Sequence, residues 1–160
     1  MVPPLVKRRS TFGRALAWGI STGAGVGFTP RVPGSAGSLL GLGIYIWVPV
    51  LRPLTHLAAV LISFSIGVAL TGWAETAGGK RDDPRIVLDE VVGMWVALYA
   101  LPRTLPYLLL AFLFFRVFDI WKPFGEPGRR GLGIMVDDLM AGVCANVLVR
   151  VVTWLGGALF

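Results

Sequence analysis

Histidine and cysteine are almost absent from this chain of 160 residues, which contains one of each. The single cysteine, Cys144, cannot form an intramolecular disulfide, and the single histidine, His56, leaves little with which to bind zinc. One histidine also cannot serve as both nucleophile and proton donor, which excludes sites built on a histidine pair. Any metal bound by this chain should therefore be a hard cation held by oxygen atoms.

Charged residues are scarce too. They make up 15% of the sequence, against 55% hydrophobic residues and a mean hydropathy of +0.72. A soluble core of this size needs less apolar surface than that, so the composition indicates a single integral membrane domain over residues 1–160. Arg14 interrupts the short stretch that follows the basic residues Lys7 to Arg9, so we expect no signal peptide and a cytosolic N-terminus.

Apolar runs separated by proline, glycine and charged residues predict five helices. The first run has 15 residues, about 22 Å by helical rise, so it is short for a membrane span and could be re-entrant, tilted or extended by the preceding loop. The segment 11–29 could be an interfacial helix or packed coil. We therefore expect an all-α, polytopic membrane bundle with four to five membrane helices. The five predicted ranges are 36–50, 54–74, 86–101, 105–121 and 134–157.

The basic residues predict the orientation of this bundle, because short cytoplasmic loops collect lysine and arginine. If all five runs span, only Arg52, Arg103 and Arg150 fall near one side. The same arrangement places every carboxylate near the other side, which we expect to be cytosolic and to carry the active centre. The basic residues of that side are Lys7, Arg8, Arg9, Arg14, Arg31, Lys80, Arg81, Arg85, Lys122, Arg129 and Arg130.

All nine acidic residues lie between Glu75 and Asp138, mostly in short clusters at the edges of apolar runs. Carboxylates beside hydrocarbon are costly, so their concentration here indicates a cation, a substrate or a proton that stabilises them. Because no histidine or cysteine accompanies them, Mg²⁺ with a phosphate ligand is the favoured interpretation. The main clusters are Asp82-Asp83, Asp89-Glu90, Asp119 and Asp137-Asp138.

Two of these clusters are adjacent pairs near predicted helix starts. First-turn acids are favoured by the helix dipole, which would explain Asp89 and Glu90 without any function. Adjacent residues on a helix point about 100° apart, however, so both cannot be idle surface acids in an apolar segment. The same argument favours function for Asp137-Asp138, where either aspartate could face inward.

The remaining clusters have simple structural alternatives. Asp119 has cations three residues away on both sides, Arg116 and Lys122, so an ordinary helical ion pair is as good an interpretation as a functional role. The segment Asp82-Asp83-Pro84 suits a turn before a helix, with Pro84 near the first helical position. Residues 33–38 could bind a phosphate at a helix N-terminus, or their glycines could serve close helix packing.

Four segments of the chain carry a resemblance to a known family. They are Gly34–Ser38, Ile86–Met94, Phe115–Pro123 and Gly133–Gly142, and they contain the serines and most of the acids discussed above. In this order they resemble the phosphatidylglycerophosphatase A family of bacteria, with Ser35 where that family has threonine. The resemblance covers most of residues 29–146.

The resemblance implies Mg²⁺-dependent hydrolysis of phosphatidylglycerophosphate to phosphatidylglycerol and inorganic phosphate at the bacterial inner membrane, with no nucleic-acid partner. It implies Mg²⁺ ligands among Asp89, Glu90, Asp137 and Asp138, with Asp82 or Asp83 as a further ligand. Asp119 would add a ligand or orient water, which completes the expected catalytic set. The expected phosphate contacts are Ser35, Ser38, Lys80, Arg81, Arg116 and Lys122.

Two questions stay open at this stage. The residues do not decide whether water or a carboxylate attacks the phosphorus. Acids in a membrane protein could also serve a proton- or cation-coupled transporter. That alternative requires carboxylates near the middle of the bilayer, whereas these crowd one predicted interface.

Overall fold

The computed structural model describes residues 11–48, 52–78, 83–121 and 132–158, and these residues form helices, turns and short connections without any β-strand. This confirms the all-α prediction. The 3₁₀ helix Val26–Phe28 follows α1. The α-helices are α1 (Thr11–Ser21), α2 (Pro33–Trp47), α3 (Pro53–Gly78), α4 (Leu88–Ala97), α5 (Leu105–Trp121) and α6 (Leu132–Ala158).

The five predicted helices correspond to α2 through α6. Helix α5 has the predicted bounds, and the other four have shifted ends. Helix α2 begins three residues earlier than predicted, because Pro33 occupies a first-turn position where its missing N–H costs nothing. Within the segment 11–29, the helical alternative is confirmed for α1. Pro84 does not begin a helix; it lies in a turn closed by a hydrogen bond from the Ile86 N–H to the Asp83 carbonyl (2.9 Å).

Helix α4 is shorter than the predicted run 86–101 and lies at the centre of the structure. Its ten residues rise about 15 Å, and it packs against α2, α3, α5 and α6. Met94, Ala97 and Leu98 are fully buried on it or directly after it. The chain leaves the helix at Leu98, and Ala100 has a positive φ. Pro102 follows two residues later, and a proline disfavours a helical conformation at the residue before it, here Leu101.

The carbonyl groups at the end of α4 find partners on neighbouring helices. Asn146 of α6 donates hydrogen bonds to the carbonyls of Ala97 and Tyr99, both at 2.9 Å. Arg150 donates to the carbonyls of Tyr99 (2.9 Å) and Ala100 (3.2 Å). Backbone groups that end a helix inside an apolar structure are costly when unpaired, so these bonds let a short helix end within the bundle.

Two helices are long and apolar enough to cross a membrane, by length and composition, within the described part of the chain. They contain the windows Pro53–Leu70 of α3 and Leu132–Gly157 of α6, of which 17% and 39% are buried. Such low burial distinguishes them from the core helices of soluble proteins and favours a lipid environment. The prediction of four to five membrane helices is not confirmed by this finding and stays a prediction.

Helices α4 and α6 cross where both carry glycine. A Cβ added to Gly142 would lie 2.4 Å from the Gly93 carbonyl oxygen, and one added to Gly93 would lie 2.7 Å from the Asp138 carbonyl oxygen. Both obstacles are backbone atoms, which cannot move aside as a side chain can. The two glycines therefore set how closely α4 approaches α6.

We expect Gly142→Ala to destabilise the protein by about 1–3 kcal/mol, because its Cβ would force α4 and α6 apart. Gly156→Ala is the matched control in the same helix, since a Cβ at Gly156 meets nothing within 4 Å. The measurement is the thermal unfolding midpoint of each variant in detergent micelles. Equal midpoints for the two variants would contradict the tight crossing.

Candidate functional site

Three carboxylates from two helices meet at the start of α4. Asp89 and Glu90 come from its first turn, and Asp138 comes from α6. One carboxylate oxygen from each residue lies within 4.8 Å of the others. Asp89 and Asp138 are only 5% and 1% exposed, so this acidic cluster is largely withdrawn from solvent.

The entry of the chain into α4 is held by the segment that follows α1. The Val87 N–H donates to the Ser21 carbonyl (2.9 Å), and a Cβ on Gly27 would overlap the Arg85 carbonyl oxygen. These contacts fix the residues immediately before the first turn. They therefore help to position both acids of that turn.

Asp89 is buried and Glu90 is half-buried, so neither of these adjacent acids is fully exposed. Glycines on α2 make room for Glu90: a Cβ at Gly34 would lie 2.7 Å from Glu90 Oε1, and one at Gly37 would lie 3.4 Å from Glu90 Cβ. The packing interpretation of the glycines in residues 33–38 is therefore confirmed. What the sequence did not indicate is that the carboxylate of Glu90 occupies the space beside Gly34.

The structure decides which aspartate of the pair on α6 belongs to the cluster. Asp138 is buried against α4, whereas Asp137 is half-buried and lies outside the three-carboxylate group. The two side chains diverge because successive residues of a helix are about 100° apart. The expectation that Asp137 is also a ligand stays a prediction.

A second set of polar groups lies beside the cluster, on α5 and α2. Arg116 forms an ion pair with the buried Asp119, one turn further along α5, so the predicted helical ion pair is confirmed. The same Arg116 nitrogen donates to the Ser38 hydroxyl (3.3 Å), which itself donates to the Gly34 carbonyl (2.9 Å). Arg116 thus connects α5 to the first turns of α2.

The guanidinium of Arg116 and the carboxylate of Glu90 both border Gly34. A Cβ on Gly34 would lie 3.3 and 3.4 Å from two nitrogens of Arg116 and 2.7 Å from Glu90 Oε1. Its Nε is buried and has no hydrogen-bond partner within the described residues. A buried N–H group that makes no hydrogen bond is costly, so this one indicates a ligand that accepts a hydrogen bond from it.

The cluster carries an excess of negative charge. Asp89, Asp138 and Asp119 all act electrostatically on Glu90, and Glu90 Oε2 is buried without a hydrogen-bond partner in the described part of the chain. Arg116 can offset one of these charges. Like charges this close cannot all ionise unless a cation joins them or protons are shared.

The other predicted site residues are less central. Ser35 is half-buried in the first turn of α2. Asp83 accepts a hydrogen bond from Arg85 at 2.5 Å, and this contact raises the pKa of the guanidinium. The sequence predicted Arg85 only as a basic residue of the cytosolic side; in the structure its guanidinium also lies over the rings of Trp18 and Phe28. Lys80, Arg81, Asp82 and Lys122 lie outside the described residues.

Comparisons with known proteins agree with the resemblance seen in the sequence. A family model described as phosphatidylglycerophosphatase A matches residues 19–153. A Bacteroides thetaiotaomicron protein, provisionally named a phosphatidylinositol-3-phosphatase, is 41% identical over 86% of this chain and 94% of its own length.

Two further relatives are named phosphatidylglycerophosphatase A. The protein of Escherichia coli K12 is 35% identical over 78% of this chain and 76% of its own length. The protein of Haemophilus influenzae Rd is 36% identical over 81% and 84%. No solved structure is a significant match.

The contact between Arg116 and Asp119 predicts a specific pattern of stabilities. Arg116→Gln should lower the free energy of unfolding by about 3–5 kcal/mol, because it removes the guanidinium from a buried carboxylate. The double variant Arg116→Gln/Asp119→Asn should recover most of that loss, because both charges are then gone. Denaturant unfolding of the three proteins in detergent measures the effect. A double variant less stable than Arg116→Gln would contradict this account.

Proposed function

This chain belongs to the phosphatidylglycerophosphatase A family, and we propose that it removes the terminal phosphate of phosphatidylglycerophosphate. The family and its two relatives of that name make the protein a phosphatase that hydrolyses a phosphomonoester. The products of the proposed reaction are phosphatidylglycerol and inorganic phosphate. One P–O bond breaks, the oxygen of water joins the phosphorus, and a proton of that water reaches the departing glycerol oxygen. The comparisons give no support to the transporter alternative.

The meeting of Asp89, Glu90 and Asp138 beside Arg116 is the observation that carries this proposal. A phosphomonoester brings two negative charges, so an acidic cluster alone would repel it. The cluster becomes suitable for phosphate only together with cations. Arg116 is one of these cations, and the carboxylates would hold the other.

The donor set of the cluster fits Mg²⁺. Its three members offer only oxygen ligands, within 4.8 Å of one another, and hard divalent cations prefer such ligands. When bound there, Mg²⁺ would offset the charge that develops on the phosphoryl oxygens in the transition state. Asp89, Glu90 and Asp138 would hold it, with Asp137 as a further candidate.

Arg116 would bind the phosphate through the N–H groups that its contacts with Asp119 and Ser38 do not use. Its buried Nε can donate to a phosphoryl oxygen. Asp119 and Ser38 hold the guanidinium from α5 and α2, so we assign them a positioning role. Ser35 remains the candidate for a direct hydroxyl contact.

We propose that the protein lies in the bacterial inner membrane with the acidic cluster facing the cytosol. Helices α3 and α6 would span the bilayer, and α2 and α5 would accompany them, which gives four membrane helices, the lower number expected from the sequence. The distribution of basic residues supports the orientation, since Arg85 lies next to the start of α4 while Arg103 and Arg150 bind carbonyl groups at the opposite end.

Phosphate release from phosphatidylglycerophosphate should require Mg²⁺ and the three clustered carboxylates. We expect chelation to abolish turnover, added Mg²⁺ to restore it, and Asp89→Asn, Glu90→Gln and Asp138→Asn each to lower kcat on the order of 100-fold or more. Asp137→Asn should have a smaller effect, because this neighbour lies outside the cluster. The assay uses purified protein in detergent. Undiminished turnover by the three folded variants would refute the site.

The relatives carry two different names, phosphatidylglycerophosphatase A and phosphatidylinositol-3-phosphatase, so the headgroup preference of this protein needs a test of its own. We expect a higher kcat/KM for phosphatidylglycerophosphate than for phosphatidylinositol 3-phosphate, because the family model and two relatives agree on the former. The measurement is phosphate release from each lipid, with matched acyl chains, in the same detergent. A preference for the inositol lipid would retain the reaction class and replace the substrate with that suggested by the Bacteroides relative.

A further inference from the structure

An apolar groove lies between α3 and α6, away from the acidic cluster. Its volume is about 360 Å³, within the range of small-molecule sites. Leu57, Val60 and Leu61 of α3 form one wall, and Val143 and Val147 of α6 form the other. Leu61 and Val147 are more than half exposed, so the groove opens sideways.

The lining of this groove is suited to hydrocarbon. Asn146 contributes an amide, but both of its observed donor bonds go to the carbonyls of Ala97 and Tyr99, and its oxygen accepts from Arg150 (2.8 Å). The polar atoms of the Asn146 amide are therefore already used in hydrogen bonds at the end of α4. The surrounding wall is formed mainly by aliphatic side chains.

The groove starts at the level of the acidic cluster along the bundle. On α6, its lining begins at Leu139, one residue after Asp138, and continues to Val147, about 12 Å further by helical rise. On α4, Val96 of the groove is seven residues from Asp89, about two turns, and so lies on the same face of the helix. The groove therefore shares one face of α4 with Asp89 and extends away from the level of Asp138, whose own side chain points about 100° from that of Leu139.

The helices that form its walls are α3 and α6, which are the two candidate membrane spans. The groove therefore opens at the depth of the lipid chains. We infer that it holds one acyl chain of the lipid substrate while the phosphate of the same molecule lies at the acidic cluster. This inference rests on the proposed function and adds a second point of recognition to it.

The occupied groove would act by orientation. A lipid chain gains little by leaving one apolar environment for another, so the groove cannot add much hydrophobic binding energy. A chain held between α3 and α6 would instead fix the lipid relative to Asp138 and Glu90. Such positioning of a reacting group is a recognised source of rate acceleration.

Photolabelling tests the occupant directly. The probe is a phosphonate analogue of phosphatidylglycerophosphate with a diazirine in one acyl chain, added to the full chain in phosphatidylcholine nanodiscs with Mg²⁺. We expect the label to favour Leu61, Val143 and Val147 over Leu109 and Leu113 on the exposed face of α5. An excess of the unlabelled analogue should remove this preference, whereas extra phosphatidylcholine should not.

Three labelling results would overturn the inference. Equal labelling of both faces would mean that the groove holds no particular chain. Equal groove labelling by a diazirine phosphatidylcholine would mean that it takes bulk lipid. An unlabelled groove, as would follow if a second copy of this chain covered it, counts against the inference as well. Because the phosphonate is not hydrolysed, labelling reports where the lipid chain binds without requiring turnover, so a failure of the groove and a failure of the phosphatase assay give different results.

A matched pair of variants adds a kinetic readout. Leu61→Trp fills the groove, and Ile62→Trp places the same ring on an exposed neighbour outside the lining. Because the groove is expected to act by orientation, Leu61→Trp should lower kcat for long-chain phosphatidylglycerophosphate about tenfold with little change in KM, and should leave kcat/KM for the deacylated headgroup unchanged. Ile62→Trp should change neither. Equal effects of Leu61→Trp on both substrates would contradict a chain-binding groove.

Discussion

Where α4 crosses α6, the backbones approach so closely that neither Gly93 nor Gly142 has room for a Cβ. This contact determines where Asp138 lies, because the carbonyl of Asp138 itself borders Gly93. A wider crossing would carry Asp138 away from Asp89 and Glu90. The acidic cluster is therefore a consequence of backbone packing between two helices, one of which is long enough to span a membrane.

Helix α4 is stable in this position because charges or hydrogen bonds stabilise both of its ends. Its first turn carries carboxylates, which the helix dipole favours, and its last carbonyls accept hydrogen bonds from Asn146 and Arg150. His56 adds a bond to the Trp95 carbonyl (3.0 Å) between the rings of Tyr45 and Tyr99. A helix too short to cross a bilayer can thus be buried within the bundle and deliver its acids to one end.

Much of this arrangement could be predicted from residue order. The apolar runs indicated the five helices α2 to α6, and one of the two interpretations of Asp119 was its ion pair with Arg116. Ser38 was predicted to contact the phosphate. In the structure, its hydroxyl accepts a hydrogen bond from Arg116 and donates one to a carbonyl of its own helix. The pairing of Asp83 with Arg85 was not anticipated, since a polar loop offers several cations and no periodicity that selects one.

The sequence by itself determined the family and predicted the kind of chemistry. Clusters of acids next to apolar runs, with a single histidine and cysteine, favour oxygen ligands for any bound metal, and the order of the motifs indicated the phosphatidylglycerophosphatase A family. Only the tertiary structure decided that Asp138 joins Asp89 and Glu90, that α4 ends at Ala97, and that Gly34 leaves space for Glu90. The reason is physical: local sequence sets which residues share a helix face, but the distance between two helices depends on the side chains of both.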